Sequence, residues 1–115
     1  MPHRVNPYDK AHELAGAIKA SDAFISYLAA KQQLEAKPDL KDRIINLRQR
    51  QMEMNRRQML GEEIKPGEAQ EISLEYAKMN QNPGLADFFQ AEGVFIQMFN
   101  DIQEIIQKAI ESEFR

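Results

Sequence analysis

Four prolines limit what this chain can become. Pro7, Pro38, Pro66 and Pro83 each fall between stretches whose apolar residues recur three and four apart, and none interrupts such a stretch. Proline fixes φ, lacks an N–H and costs about 3 kcal/mol inside a helix, yet it fits a first helical turn. The spacing therefore predicts five helices. The first covers about residues 7–20, capped by Asn6, with Tyr8, Ala11, Ala15 and Ile18 at 3-4-3 spacing. Ser21 caps a second, about 22–37, whose apolar side holds Phe24, Tyr27, Leu28 and Leu34. The third, about 39–60, ends at Gly61, a left-handed C-terminal residue. The fourth, about 67–81, carries Ala69, Ile72, Tyr76 and Met79. Asn82-Pro83-Gly84 makes a turn, and the last helix, about 85–112, is the longest and most apolar.

Composition agrees. Ala, Leu, Glu, Lys, Gln, Arg and Met, the strong helix formers, fill 65 of 115 positions, while threonine and tryptophan are absent. The expected fold is all-α, about five helices in a bundle with a long C-terminal helix and no sheet. A chain of this length is expected to form a single domain over 1–115, frayed at 1–6 and 113–115.

The same composition bounds function. The absence of cysteine excludes disulfides, thiolate chemistry, cysteine-held zinc and cysteine-ligated iron–sulfur clusters. The two histidines, His3 and His12, enter no Glu-x-x-His pair of the kind a helical di-iron site needs. Serines are few, and the five glycines stand alone, so neither a hydrolytic triad nor a phosphate loop is visible. The expectation is a protein without catalytic activity, cofactor or metal. No apolar run approaches the roughly 20 residues of a bilayer span, and the first residues lack a secretory apolar region, so no membrane association and a cytoplasmic location are expected.

Two helices carry the functional reading. In the last, Leu85, Phe88, Glu92, Phe95, Phe99, Ile102, Ile106 and Ala109 follow a heptad 3-4 alternation, and Phe89, Ile96, Ile105 and Ile110 widen the apolar sector. A helix of about 28 residues is about 42 Å long, more apolar length than a small domain easily covers. Either several helices of the chain lie along it or a second chain does. Gly93, mid-helix, suggests close helix approach. On the third helix, Leu40, Ile44, Leu47 and Met54 form one stripe. Ile45, Met52 and Met59 form another, at sevens and roughly 120° away. Both stripes can face helices of the same chain; alternatively the second meets another chain, as suits adaptable methionine contacts. Ile45, Met52, Met59, Phe95, Phe99, Ile102 and Ile106 are thus the candidate interface.

Arg43, Arg50 and Arg57 form a third line on the same helix. Residues 41–61 carry a net +4 against −4 for residues 85–115 and −3 overall. An anionic partner, RNA tracked by Arg43, Arg48, Arg50, Arg56 and Arg57, is one reading. The other, preferred because the chain lacks a basic excess and interleaved aromatics, is a solvated face bracing acidic helices of the same fold.

The tyrosine- and alanine-rich opening, Gln58-Met59-Leu60-Gly61-Glu62-Glu63-Ile64, and Asn82-Pro83-Gly84-Leu85 followed by Phe88, Ala91-Glu92, Phe95 and the isoleucines to Ile110 resemble the bacterial YlbF/YmcA family, most closely its YheA-like branch. The resemblance spans about residues 7–112. It implies an all-α fold, a cytoplasmic location and self-association or association with sister proteins. Some members act with ribonuclease Y in RNA processing and so influence competence, sporulation and biofilm formation. Those members hold iron–sulfur clusters through cysteines; this chain has none, so the cluster is not carried over, which counts against membership of that ribonuclease complex. The expected partner is a second copy of the chain, a dimer first, with sister proteins or a ribonuclease complex next and nucleic acid last.

Overall fold

The computed structural model describes residues 5–114, with the side chain of Phe114 left aside. The expected fraying at 1–6 and 113–115 falls largely on residues outside that range. Among the described residues there are five α-helices and no strand: α1 (Pro7–Lys19), α2 (Asp22–Glu35), α3 (Pro38–Met59), α4 (Pro66–Met79) and α5 (Pro83–Glu111), followed by a 3-10 turn, Ser112–Phe114. Each of the four prolines is the first residue of a helix, where its missing N–H needs no partner.

Local chemistry fixes the ends. The Asn6 side chain accepts the N–H of Tyr8 at 2.8 Å. Ser21 Oγ accepts the N–H of Phe24 at 3.2 Å and donates to the carbonyl of Ile18 at 2.6 Å, so one hydroxyl closes α1 and opens α2. At the end of α3, Gly61 adopts φ +78°. Its N–H reaches Gln58 O at 3.1 Å and that of Glu62 reaches Arg57 O at 2.9 Å, the paired bonds of a Schellman motif. Asn82 holds the start of α5, its side chain accepting the N–H of Gly84 at 3.0 Å.

The chain divides into two compact units, and the division falls within α2 and within α5. One unit, residues 30–90, contains the end of α2, all of α3 and α4, and the start of α5. Leu34, Ile44, Leu47, Ile72, Met79, Leu85 and Phe88 are buried together there, one or two from each helix. Tyr76 joins this core from α4: its ring meets Phe89 edge-on, with centroids 5.8 Å apart, and its hydroxyl donates to Gln51 Oε1 at 3.0 Å.

The other unit, residues 5–29 and 91–114, contains α1, most of α2 and the remainder of α5. Phe95 stacks on Tyr27 at 5.3 Å and meets Phe24 edge-on at 5.5 Å. Leu14 and Ile18 are the half-buried side chains of α1, whereas Tyr8, Ala11 and Ala15 are exposed. Of the apolar line expected on α1, only Ile18 is covered. Alanine contributes too little area to orient a helix against the pull of Leu14.

Gly93 also departs from expectation. A Cβ there would meet nothing within 4 Å, so no close helix approach within the chain requires glycine. Gly93→Ala is expected to raise stability by about 0.5–1 kcal/mol, read from urea unfolding at one protein concentration. A loss of self-association in this variant would instead show that another backbone approaches there.

Candidate functional site

The candidate interface residues are not equally covered. Along the heptad line of α5, exposure rises from 0% at Leu85 and 4% at Phe88 to 41% at Phe99 and 49% at Ile106, with Phe95 and Ile102 half-buried. Past Glu92 the apolar spacing resumes while its cover thins. On α3 the stripe of Ile44 and Leu47, with Leu40 and Met54 half-buried beside them, is the inward one. Ile45 is exposed, and Met52 and Met59 are 69% and 88% exposed.

Other exposed apolar residues stand outside the lines that the spacing singled out. Ile96, Ile105 and Ile110 on α5 were visible only as a widening of its stripe, and all three are exposed. Val94, Ile25, Leu28 and Tyr8 are exposed as well. In the unit formed by residues 5–29 and 91–114, no side chain among the described residues is buried, although ten large apolar residues stand exposed. At roughly half exposure each, they present on the order of 1,000 Å² of apolar surface in total, spread over three helices.

The arginine line faces α4. Arg57 donates to Glu68 at 3.0 Å, and Arg50 reaches Glu71 at 3.5 Å. Arg43 lies at an adjoining hollow with Asp42 and Glu75. Between α3 and α4 runs an open groove of about 450 Å³, with Met54 and Ile72 among its lining residues beside the two ion pairs. Glu68, Glu71 and Glu75 recur at three- and four-residue spacing, the sequence signal that matches arginines spaced by sevens. Of the other two arginines, Arg56 makes a two-point contact with Glu53 at 2.6 and 3.1 Å. The Arg48 guanidinium lies 5.8 Å from the Phe88 ring centre, a cation–π contact.

The Arg57 guanidinium holds the Glu68 carboxyl below the usual range; burial opposes this, and the N–H of Lys65 adds to it. Arg56 likewise lowers Glu53, and Lys41 lowers Glu35. A depressed carboxyl contributes stability above its unfolded pKa and loses it as pH falls through the folded value. The stability advantage of wild type over Glu68→Gln is therefore expected in full well above pH 4.5, the ordinary value, and should vanish on acidification below the lowered one. Thermal unfolding from pH 7 to pH 3 reads it. Among the described residues no group of three or more His, Asp or Glu side chains could hold a metal, and no helix is long and apolar enough to cross a membrane.

The chain resembles known proteins over nearly its whole length. The model of the family described as control of competence regulator ComK, YlbF/YmcA, matches residues 8–111. A UPF0342 protein of Caldicellulosiruptor bescii is 32% identical over 106 residues, 92% of this chain and 89% of that protein. One from Caldicellulosiruptor saccharolyticus is 28% identical over 106 residues, 92% and 88% of the two chains. A protein of unknown function (DUF964) from Bacillus stearothermophilus superposes with a TM-score of 0.81 at 26% identity, covering 94% of this chain and 95% of that one. Bacillus subtilis RicA, solved in complex with RicF, shares the fold, with a TM-score of 0.59 at 17% identity over 94% and 96% of the chains. With the family pattern carried from α1 to the end of α5, this chain belongs to the YlbF/YmcA family.

Proposed function

We propose that the protein is a non-enzymatic, cytoplasmic adaptor that acts through self-association and contacts with other proteins, using the exposed lines of α3 and α5. The observation that carries this reading is the loss of cover along one line of α5, from fully buried Leu85 to half-exposed Ile106, although the apolar spacing resumes after Glu92. A helix that keeps its oily stripe past the end of its own core is shaped to share that stripe. RicA, which has the same fold, is found with RicF, and the proposal extends an assembling role of that general kind to this chain.

The electrostatics support a scaffold. Arg50 and Arg57 are engaged with α4 carboxylates, which favours bracing within the fold over tracking of RNA phosphates. Met52→Glu is expected to shift the assembly toward single chains by light scattering. An unchanged mass would remove the methionine line from the interface.

A further inference from the structure

Resting on that adaptor reading, we infer how its α5 surface is regulated: residues 7–29, which are α1 and the first part of α2, form a strap that opens from α5 as one piece. Opening bares Phe95 and so extends the exposed line of Phe99 and Ile106 by a further turn.

The first observation is burial. The seven side chains buried among the described residues all lie in 30–90, and none lies in the unit that contains the strap. α1 has 13 residues, a length at which a helix in water is marginal without packing, and its half-buried side chains are Leu14 and Ile18. The strap meets α5 through Phe24 and Tyr27, at 5.5 and 5.3 Å on the one ring of Phe95, and all three rings are only half-buried. The second observation is glycine inside helices. Gly16 in α1 and Gly93 in α5 would each accept a Cβ with nothing within 4 Å, so packing requires neither. Each lowers the helical equilibrium about fivefold relative to alanine. α3 contains no glycine, and α4 has one only in its first turn. Thin packing and weakened helices are what make a segment open at a fraction of the cost of global unfolding.

The third observation gives the opening a consequence. The Phe95 ring also meets Phe99, with centroids 6.4 Å apart, so the ring under the strap is continuous with the exposed part of the line. Association through a surface that is complete only when the strap is open is weakened by the fraction of time it stays closed. The grip of Phe24 and Tyr27 on Phe95 therefore sets the affinity.

Hydrogen–deuterium exchange of the intact protein, dilute enough to be a single chain, tests this. Residues 7–29 should exchange together, with protection at least about 100-fold below that of α3 around Leu47. Gly16→Ala, at an exposed position, should slow exchange about two- to fivefold across the whole strap, residues 22–29 included, and weaken self-association by a similar factor. Phe24→Ala, checked for retained helix content, should do the reverse in both readouts by about tenfold. As wild-type concentration rises into the range of association, protection of the strap should fall. Strap exchange as slow as that of α3, an effect of Gly16→Ala confined to α1, strap protection that rises on association, or association that either variant leaves unmoved or moves the other way would overturn the strap. Any of these in a protein that still associates leaves the adaptor reading intact, whereas a chain that stays single at every concentration overturns both.

Discussion

Replacing Leu47 with alanine is expected to lower the unfolding free energy by about 3 kcal/mol and the Tm by on the order of 10 °C. Leu47 is 1% exposed at the centre of the unit formed by residues 30–90 and belongs to the inward stripe of α3. Removing its branched end loses transfer free energy and leaves a cavity that four helices cannot wholly close. Met59→Ala lies on the same helix, where the side chain is 88% exposed, and should change the stability of the single chain by no more than about 0.5 kcal/mol. The pair separates two stripes that a helical wheel draws alike. Both variants are compared by urea unfolding at one low protein concentration, because association would add to apparent stability. Equal losses would mean that the second stripe is also core.

Ile106→Asp is expected to leave helix content and single-chain stability nearly unchanged and to weaken self-association by about 30-fold or more, equivalent to about 2 kcal/mol. Ile106 lies in the uncovered part of α5, so the substitution removes little packing within its own chain. In the assembly it places a carboxylate in an apolar seam, where desolvation is costly. Sedimentation across a concentration series reads the change. An unaltered dissociation constant would place the interface elsewhere.

The elements were legible because their punctuation is local. A proline at the start of α1, α3, α4 and α5, the side chains of Asn6 and Ser21, and the positive φ of Gly61 act within a few residues. The inward stripes of α3 and α4 were equally readable, since Ile44, Leu47, Ile72 and Met79 repeat on single faces. What depends on neighbours was not readable. No sequence spacing says that Tyr76 reaches Gln51, that Tyr27 rather than Leu28 stacks on Phe95, or that Leu14 outweighs Ala11 and Ala15 on α1. Periodicity reports which residues share a face, and a tertiary partner decides whether that face is covered. For the same reason the heptad line of α5, apolar from Leu85 to Ala109 but for Glu92, gave no sign of where its cover thins.

Light scattering coupled to size exclusion, run on the intact protein up to high micromolar concentration, is the most direct test of whether the uncovered helix faces are made to be shared. The expected mass is at least twice the 13.3 kDa of the chain. A mass of one chain at every concentration would contradict it.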